Sequence, residues 1–289
     1  MRYAEPVYRP PSEAHSYLLH VTYGCSHNEC SFCAMYLSKQ FSVRPFAEIE
    51  EDIVEAGRVH PHTEKVFLLD GDAMTLASAR LHPVLDTLRD TFPNLRRVGA
   101  YSNADSVLSK SDDELRALRE AGLGILYFGL ESGDEATLER IVKGATRAEV
   151  IEAVIRAREA GFKTSVMGLL GIAGRERWRE HAEATAVAAS EMNPRFFSLL
   201  TATPVEGTKL HDEVTRGDIT LPDPEETLEE LEVILSGLDC KNTFFASNHA
   251  SNYLPIKGRL PNDKPRLMGL VQAARAGDVS LKPEWLRGL

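Results

Sequence analysis

Runs of apolar and β-branched residues alternate with helical patterns along most of this chain, and that alternation narrows the available folds more than any other feature. The runs are Ser16–Gly24, Lys65–Ala73, Arg97–Asp105, Gly124–Ser132, Lys163–Gly171 and Arg195–Pro204, with a shorter one at Asn242–Ala250. Between them lie "FAEIEEDIVEAGRVH", "SARLHPVLDTLRDTF", "SDDELRALREAGL", "DEATLERIVKG" with "TRAEVIEAVIRAREAG", and later "TLEELEVILSGL", each with helical spacing. Ser111 followed by Glu114 predicts a capping box at the start of one of these helices. Strand–helix alternation at this spacing predicts parallel strands joined by right-handed crossovers. Six or seven such units suit a partial or complete β/α barrel, and a doubly wound open sheet fits the pattern almost as well.

Both architectures gather reactive residues at the C-terminal ends of their strands. The residues at those ends here are Cys25 and its neighbours, Gly71 and Asp72, Ser102 and Asn103, Glu131 and Ser132, Gly171, and 201–204. Each is small or polar and follows an apolar run. That convergence points to a site along one edge of the sheet.

Composition bounds the class. The chain has 289 residues, 43% of them hydrophobic and 26% charged, as in an ordinary soluble globular protein. No apolar run approaches the ~20 residues that span a bilayer, and the N-terminus lacks a signal-peptide layout, so a cytoplasmic protein without membrane contact is expected. A net charge of −10 argues against a broad nucleic-acid-binding surface. Three cysteines within nine residues and a fourth far away do not form an extracellular disulfide framework. A metal site in a reducing compartment is the better reading.

Those three cysteines, Cys25, Cys30 and Cys33, are spaced C-x4-C-x2-C, close enough to aim three thiolates at one centre. A structural zinc site is normally closed by four ligands, and His27 within the loop is the nearest fourth donor. A [4Fe–4S] cluster held by three thiolates would instead leave one iron open, which would account for the missing fourth cysteine. Spacing alone does not separate zinc from iron–sulfur.

The wider sequence resembles the radical S-adenosylmethionine (SAM) superfamily. The matching segments are the cysteine loop with Phe32 before its last cysteine, "LLDGDA", "YFGLESGDEATLERIVKGAT", "VMGLLGIAG" and "LLTATPVEGTKL", in the family's order from about residue 16 to 215. The fourth-strand block is most similar to the Elp3/HemW-like branch, which also holds the methylthiotransferases. The family's usual loop is C-x3-C-x2-C, and this chain has one extra residue between its first two cysteines. The resemblance implies a partial (β/α)6-type TIM-like barrel with a short C-terminal extension. Residues 1–15 would be a lead-in, 16–215 the radical SAM core, and 216–289 the helix, strand and tail that complete the barrel.

It also implies two cofactors, a [4Fe–4S] cluster and SAM, with Cys25, Cys30 and Cys33 as the iron ligands. In such enzymes an electron from the cluster splits SAM into methionine and a 5′-deoxyadenosyl radical, which abstracts hydrogen from a substrate. Gly71, Asp72 and Ala73 match the segment that binds the methionyl amino group, where Gly71 permits close backbone approach and Asp72 could attract an ammonium. Ser102, Asn103 and Glu131 match positions that reach the methionine or ribose. Gly171, with Gly168 and Gly174, suits a backbone lying against adenine, and Phe32, Met35 and Tyr36 could flank it. Each has a bland counterpart: a turn for Asp72 or Ser102, an ion pair for Glu131, tight packing for the glycines.

Behind the last strand, Asn248, His249, Ser251, Asn252 and Tyr253 cluster as candidate substrate contacts, with His249 and Tyr253 as candidate acid–base residues. The competing reading is a hydrogen-bonded loop. Cys240 reads as a buried small apolar residue. With only Cys240 beyond the loop, a second cysteine-ligated cluster and the sulfur insertion it would feed are not expected, and neither a cobalamin domain nor an RNA-binding appendage is anticipated. The implied partners are a small-molecule substrate and an electron donor such as flavodoxin or ferredoxin. The rival function is a zinc-stabilised β/α ligand-binding protein without redox chemistry.

Overall fold

A computed structural model describes residues 2–288. Among the described residues ten strands run in chain order as β1 (Tyr17–His20), β2 (Thr22–Tyr23), β3 (Ser42–Val43), β4 (Lys65–Leu69), β5 (Arg97–Tyr101), β6 (Leu123–Glu131), β7 (Lys163–Leu170), β8 (Phe196–Thr201), β9 (Phe244–Ser247) and β10 (Ile256–Arg259). The helices are α1 (Phe46–Val59), α2 (Ser78–Thr91), α3 (Ala104–Leu108), α4 (Asp112–Glu120), α5 (Glu135–Arg140), α6 (Arg147–Glu159), α7 (Gly174–Met192), α8 (Lys209–Arg216), α9 (Pro224–Gly237) and α10 (Lys264–Arg275). Eight strands form one sheet in the order β1-β4-β5-β6-β7-β8-β9-β10, and β2 pairs with β3 in a separate hairpin. The expected strand–helix alternation is present, and the mostly parallel sheet with β1 and β10 at its two ends is that of a partial TIM-like barrel.

Among the departures from the sequence expectation, which include α3, α8 and α10, three have a clear physical reason. The first run splits after His20, because Thr22 and Tyr23 leave the main sheet to pair with 42–43 across the cysteine loop. The polar stretch after β9 contains β10, which pairs antiparallel with β9 through alternating buried Ile256 and Gly258. The longest helix, α7, gave little periodic signal because its buried face is chiefly alanine: Ala182, Ala186, Ala188 and Ala189. The capping box is present, with the Ser111 N–H donating to Glu114 (2.9 Å) and the Glu114 N–H to Ser111 Oγ (3.2 Å).

The chain divides into two compact units. One takes in the chain up to Asn28, Met35–Phe128 and Glu152–Thr164; the other takes in Glu29–Ala34, Gly129–Ile151 and the chain from Ser165 onward. In the first, β4 is buried on both faces, as a central parallel strand must be, with Val66, Phe67, Leu68 and Leu69 inaccessible. Phe67 meets Tyr101 edge-on (centroids 5.1 Å) and Tyr127 (5.7 Å). At the N-terminal ends of these strands the lead-in inserts Glu13, fully buried, which accepts hydrogen bonds from Arg97 and from the Tyr127 hydroxyl. In the second unit, Leu138, Ile141, Ile172, Leu210 and Ile219 form an apolar core. Among the described residues no helix is long and apolar enough to cross a membrane.

Removing a buried carboxylate that partners both an arginine and a tyrosine leaves those groups unsatisfied. Glu13→Ala should therefore lower unfolding free energy by about 2–4 kcal/mol in urea titrations. A loss under about 0.5 kcal/mol, the scale of a neutral surface change, would show that the lead-in does not brace the strands.

Candidate active site

The cysteine loop is organised from beneath by a residue that sequence reading passed over. Asp70, the residue after β4, is completely buried. Its Oδ2 accepts from the Gly24 N–H (3.0 Å) and from Lys39 Nζ (2.9 Å), and His20 Nε2 faces Oδ1 at 3.3 Å. Gly24 directly precedes Cys25, and Lys39 lies six residues beyond Cys33, so one carboxylate holds both flanks of the loop. Burial alone would raise the Asp70 pKa, but hydrogen bonds from His20, Lys39 and Gly24 outweigh it and hold the group below the usual carboxylate value. The available signal was a second acid in "LLDGDA", where only Asp72 had attracted interest.

Gly71 sits against the first cysteine. Its N–H donates to the Gly24 carbonyl (3.1 Å). A Cβ at this position would fall 2.7 Å from Cys25 Cβ, 3.1 Å from its Sγ and 2.8 Å from the Tyr36 ring. The turn therefore requires glycine for space. Tyr36 is buried, so its ring serves as a wall of the loop, while Met35 is half-buried.

Asp72 is fully buried and collects donors: Ser26 Oγ (2.8 Å), Ser106 Oγ (2.5 Å), the Asn103 N–H (3.3 Å) and Asn103 Nδ2 (3.2 Å). Burial pushes its pKa up against the opposing pull of those hydrogen bonds. It begins the short 3-10 turn Ala73–Thr75, yet its side chain makes no capping bond there. The structure thus joins Asp72 to Asn103, two residues nominated from different strands, and adds Ser26 and Ser106. Ala73 is buried behind them, and Ser102 is buried with its hydroxyl donating to the Asn103 carbonyl (3.1 Å).

In the second unit, the Ser31 N–H donates to the Ile141 carbonyl (2.9 Å), and the Leu210 N–H donates to the Ser31 carbonyl (2.9 Å). The Cys33 N–H donates to the Cys30 carbonyl (3.1 Å), closing a turn. Phe32 packs against the Leu138–Ile219 core, fixing the segment that carries the last two cysteines. None of the four cysteines is in a disulfide; Cys25, Cys30 and Cys33 are half-buried.

Glu131 ends β6 with φ +62°, a left-handed conformation uncommon for a glutamate. Its carboxylate folds back over Gly129, where any side chain would collide with it, and pairs with Lys143 (3.2 Å). This is the ion pair that stood as the competing reading for Glu131. Gly171, also left-handed (φ +79°), donates its N–H to Glu230, and Gly168 and Gly174 pack closely against Leu199 and Ile219.

The candidate substrate segment is tied into the protein. Asn252 donates to the Leu199 carbonyl (2.7 Å) and Ser247 Oγ (2.9 Å), and accepts from Thr201 Oγ1 (3.0 Å). His249 Nδ1 lies 2.9 Å from Ser251 Oγ, and burial, with nearby Lys282, lowers its pKa. The Tyr253 hydroxyl meets Glu284 (3.1 Å), and Arg287 stacks on its ring at 3.7 Å. Asn248 is exposed. Cys240 is buried, its thiol donating to the Ala189 carbonyl (3.5 Å), and burial raises its pKa.

Among the described residues no three His, Cys, Asp or Glu side chains converge as ligands of a single ion. A cluster distributes its thiolates over separate irons, so it needs soft donors on a braced loop and not convergence on a point. Within one unit Cys25 lies against a glycine wall on a loop whose flanks are pinned by Asp70, and within the other Cys30 and Cys33 share a turn packed beside an apolar core, so each segment offers soft donors of the kind a cluster uses.

Comparison with known proteins identifies the family and the fold. Residues 19–184 match the family model described as Radical SAM superfamily. The heme chaperone HemW of Bacillus subtilis is 23% identical over 230 residues, covering 76% of this chain and 59% of that protein. Coproporphyrinogen III oxidase (HemN) from Escherichia coli superposes with a TM-score of 0.57 at 19% identity, covering 76% of this chain and 51% of HemN. Streptococcus suis SuiB, solved with S-adenosylmethionine bound, gives 0.55 at 14% identity, covering 80% of this chain and 50% of SuiB. At these identities the structural likeness is one of fold. The chain spans about half the length of the curated relatives it matches, 59% and 42%. No finding favours the zinc-stabilised alternative.

Two outcomes follow from the local geometry. Gly71→Ala should cost about 1–3 kcal/mol through overpacking and reduce the iron retained after reconstitution; wild-type iron content in this variant would show that the glycine wall is dispensable. Asp134, the N-cap of α5, accepts from Arg177 (2.8 and 3.0 Å) and from Thr137, and the arginine, chiefly, brings its pKa down to about 2. Because the folded value lies below the unfolded one of 3.8, the stabilisation is complete above the unfolded value and is lost as pH falls through about 2. Arg177→Gln should flatten the acid limb of a stability–pH curve over that window, which chemical denaturation at several pH values would detect.

Proposed function

This chain belongs to the radical SAM superfamily, and from that premise we propose that it is a radical SAM enzyme acting on a small or medium-sized substrate. The observation that carries the reading is the cysteine loop itself, which lies inside the matched region and is braced on both flanks by Asp70. Cys25, Cys30 and Cys33 would hold a [4Fe–4S] cluster, and SAM would occupy the vertex left open. When bound, the pair supplies a one-electron cleavage of the sulfonium that generates a hydrogen-abstracting radical.

The residues around the strand ends have separable tasks. Gly71 allows close approach to Cys25 without a side chain in the way. Asp72, kept from water and held by Ser26 and Ser106, would act on the methionyl ammonium by orienting Asn103, the half-buried residue at this strand end. Glu131 is held by Lys143 and would accept a hydroxyl or ammonium of the same cofactor. Gly171 would present bare backbone to adenine, and Phe32 and Tyr36 would each offer it an aromatic surface. His249, with its lowered pKa, is neutral near pH 7 and suited to accept a proton from substrate, whereas Tyr253 is engaged by Glu284 and Arg287 and serves first to seat the tail. The single electron consumed per cleavage calls for a reductant of the flavodoxin or ferredoxin type, and a reducing, cytoplasmic setting suits the free thiols.

Anaerobic reconstitution should yield a brown protein with about four iron and four sulfide per chain. Reduction with dithionite in the presence of SAM should then release 5′-deoxyadenosine and methionine. Cys30→Ala should abolish cluster binding, and Cys240→Ala should retain it. A colourless protein with stoichiometric zinc, or an intact cluster in Cys30→Ala, would overturn the assignment.

A further inference from the structure

Behind the ends of β6 and β7 lies a fully buried polar chain. Ser132 Oγ is 2.7 Å from His181 Nδ1, and His181 Nε2 is 3.0 Å from Glu230 Oε1; all three side chains are inaccessible to water. The chain is anchored at both ends by backbone. The Asp134 N–H donates to Ser132 Oγ (3.0 Å), and the Gly171 N–H donates to both oxygens of Glu230 (3.0 and 3.1 Å). His181 comes from α7 and Glu230 from α9, so two helices reach into the turns that follow two strands. A side thread reinforces the first turn, where the Gly133 N–H donates to Thr185 Oγ1 (2.9 Å).

The order Ser–His–Glu resembles that of a nucleophile triad, but its burial rules out a reaction with an external substrate. What the chain can do is fix backbone. Ser132 follows Glu131, whose positive φ must be held by its surroundings, and Gly171 has a positive φ of its own. A buried carboxylate is costly unless satisfied, and here it accepts from the Gly171 amide and faces the His181 imidazole at 3.0 Å. Losing either helix residue therefore frees the turn at Gly171 and, through Ser132, the turn at Glu131.

We propose that Ser132, His181 and Glu230 are positioning residues, a buried relay from α7 and α9 that holds the β6 and β7 turns in the register needed to bind SAM. This rests on the reading above that Glu131 and Gly171 face the cofactor. None of the three touches the cofactor in that reading; they act through the backbone of residues that do.

The test is SAM affinity of the anaerobically reconstituted full chain, measured by equilibrium dialysis and by the change SAM induces in the EPR spectrum of the reduced cluster. Glu230→Ala should weaken SAM binding on the order of tenfold, the scale seen when a supporting partner of a bound group is removed, with iron and sulfide per chain unchanged. Glu230→Gln, which can still accept from Gly171, should recover most of that affinity. Should Glu230→Ala fail to fold, Ser132→Ala carries the same test, since it deletes one hydroxyl and should weaken SAM binding several-fold with the cluster intact. Variants that melt at lower temperature but bind SAM within twofold of wild type would reduce the relay to ordinary core stability and overturn the proposal. A wild-type protein that holds its cluster and binds no SAM would instead overturn the functional reading, so the two failures are distinguishable.

Discussion

The buried carboxylate of Asp70 is the constraint on which the cysteine loop depends. A loop carrying three thiols has no regular secondary structure to define it, and its backbone groups must find partners elsewhere. Asp70 supplies one acceptor shared by the amide before the first cysteine and the ammonium of Lys39 beyond the last. Both members of the ion pair are withdrawn from water, so removing either one would leave an uncompensated buried charge. The β2–β3 pairing adds a second clasp from Thr22–Tyr23 to Ser42–Val43.

The strand ends share a design in which the residue expected to face a ligand is held by a neighbour that is not. Asn103 is held by buried Asp72; Glu131 by Lys143; Gly171 by Glu230. Each supporting group spends hydrogen-bonding capacity on orientation. Orientation matters because a preorganised polar group interacts more strongly with a bound charge than one that must first reorganise.

Much of this was legible in the residue pattern. The long parallel strands announced themselves as apolar runs, and each ended at a small or polar residue now found at the strand edge. The capping box at Ser111 was readable because it depends on residues three apart. Legibility failed where burial was achieved by small residues or by pairing across long separations. The alanine face of α7 carries little hydrophobic contrast, so the helix and its His181 went unread. The short β10 was hidden because two of its four side chains are exposed charges and a third is glycine. Asp70 was visible only as one of two acids, and nothing local distinguishes the one that anchors Lys39, 31 residues away.

What the amino-acid sequence determined by itself is the chemistry on offer: three soft thiolates at short spacing, strand ends stocked with glycine, carboxylate and amide, and a β/α pattern that places them along one edge. Those properties are local, set by periodicity and by residue type. Which acid clamps the loop, which lysine answers Glu131, and how His181 and Glu230 reach the turns at Ser132 and Gly171 were decided only in the folded chain. The reason is physical: a buried polar group must be matched by whichever partner the packing of distant segments brings within about 3 Å, and sequence separation carries no record of that distance.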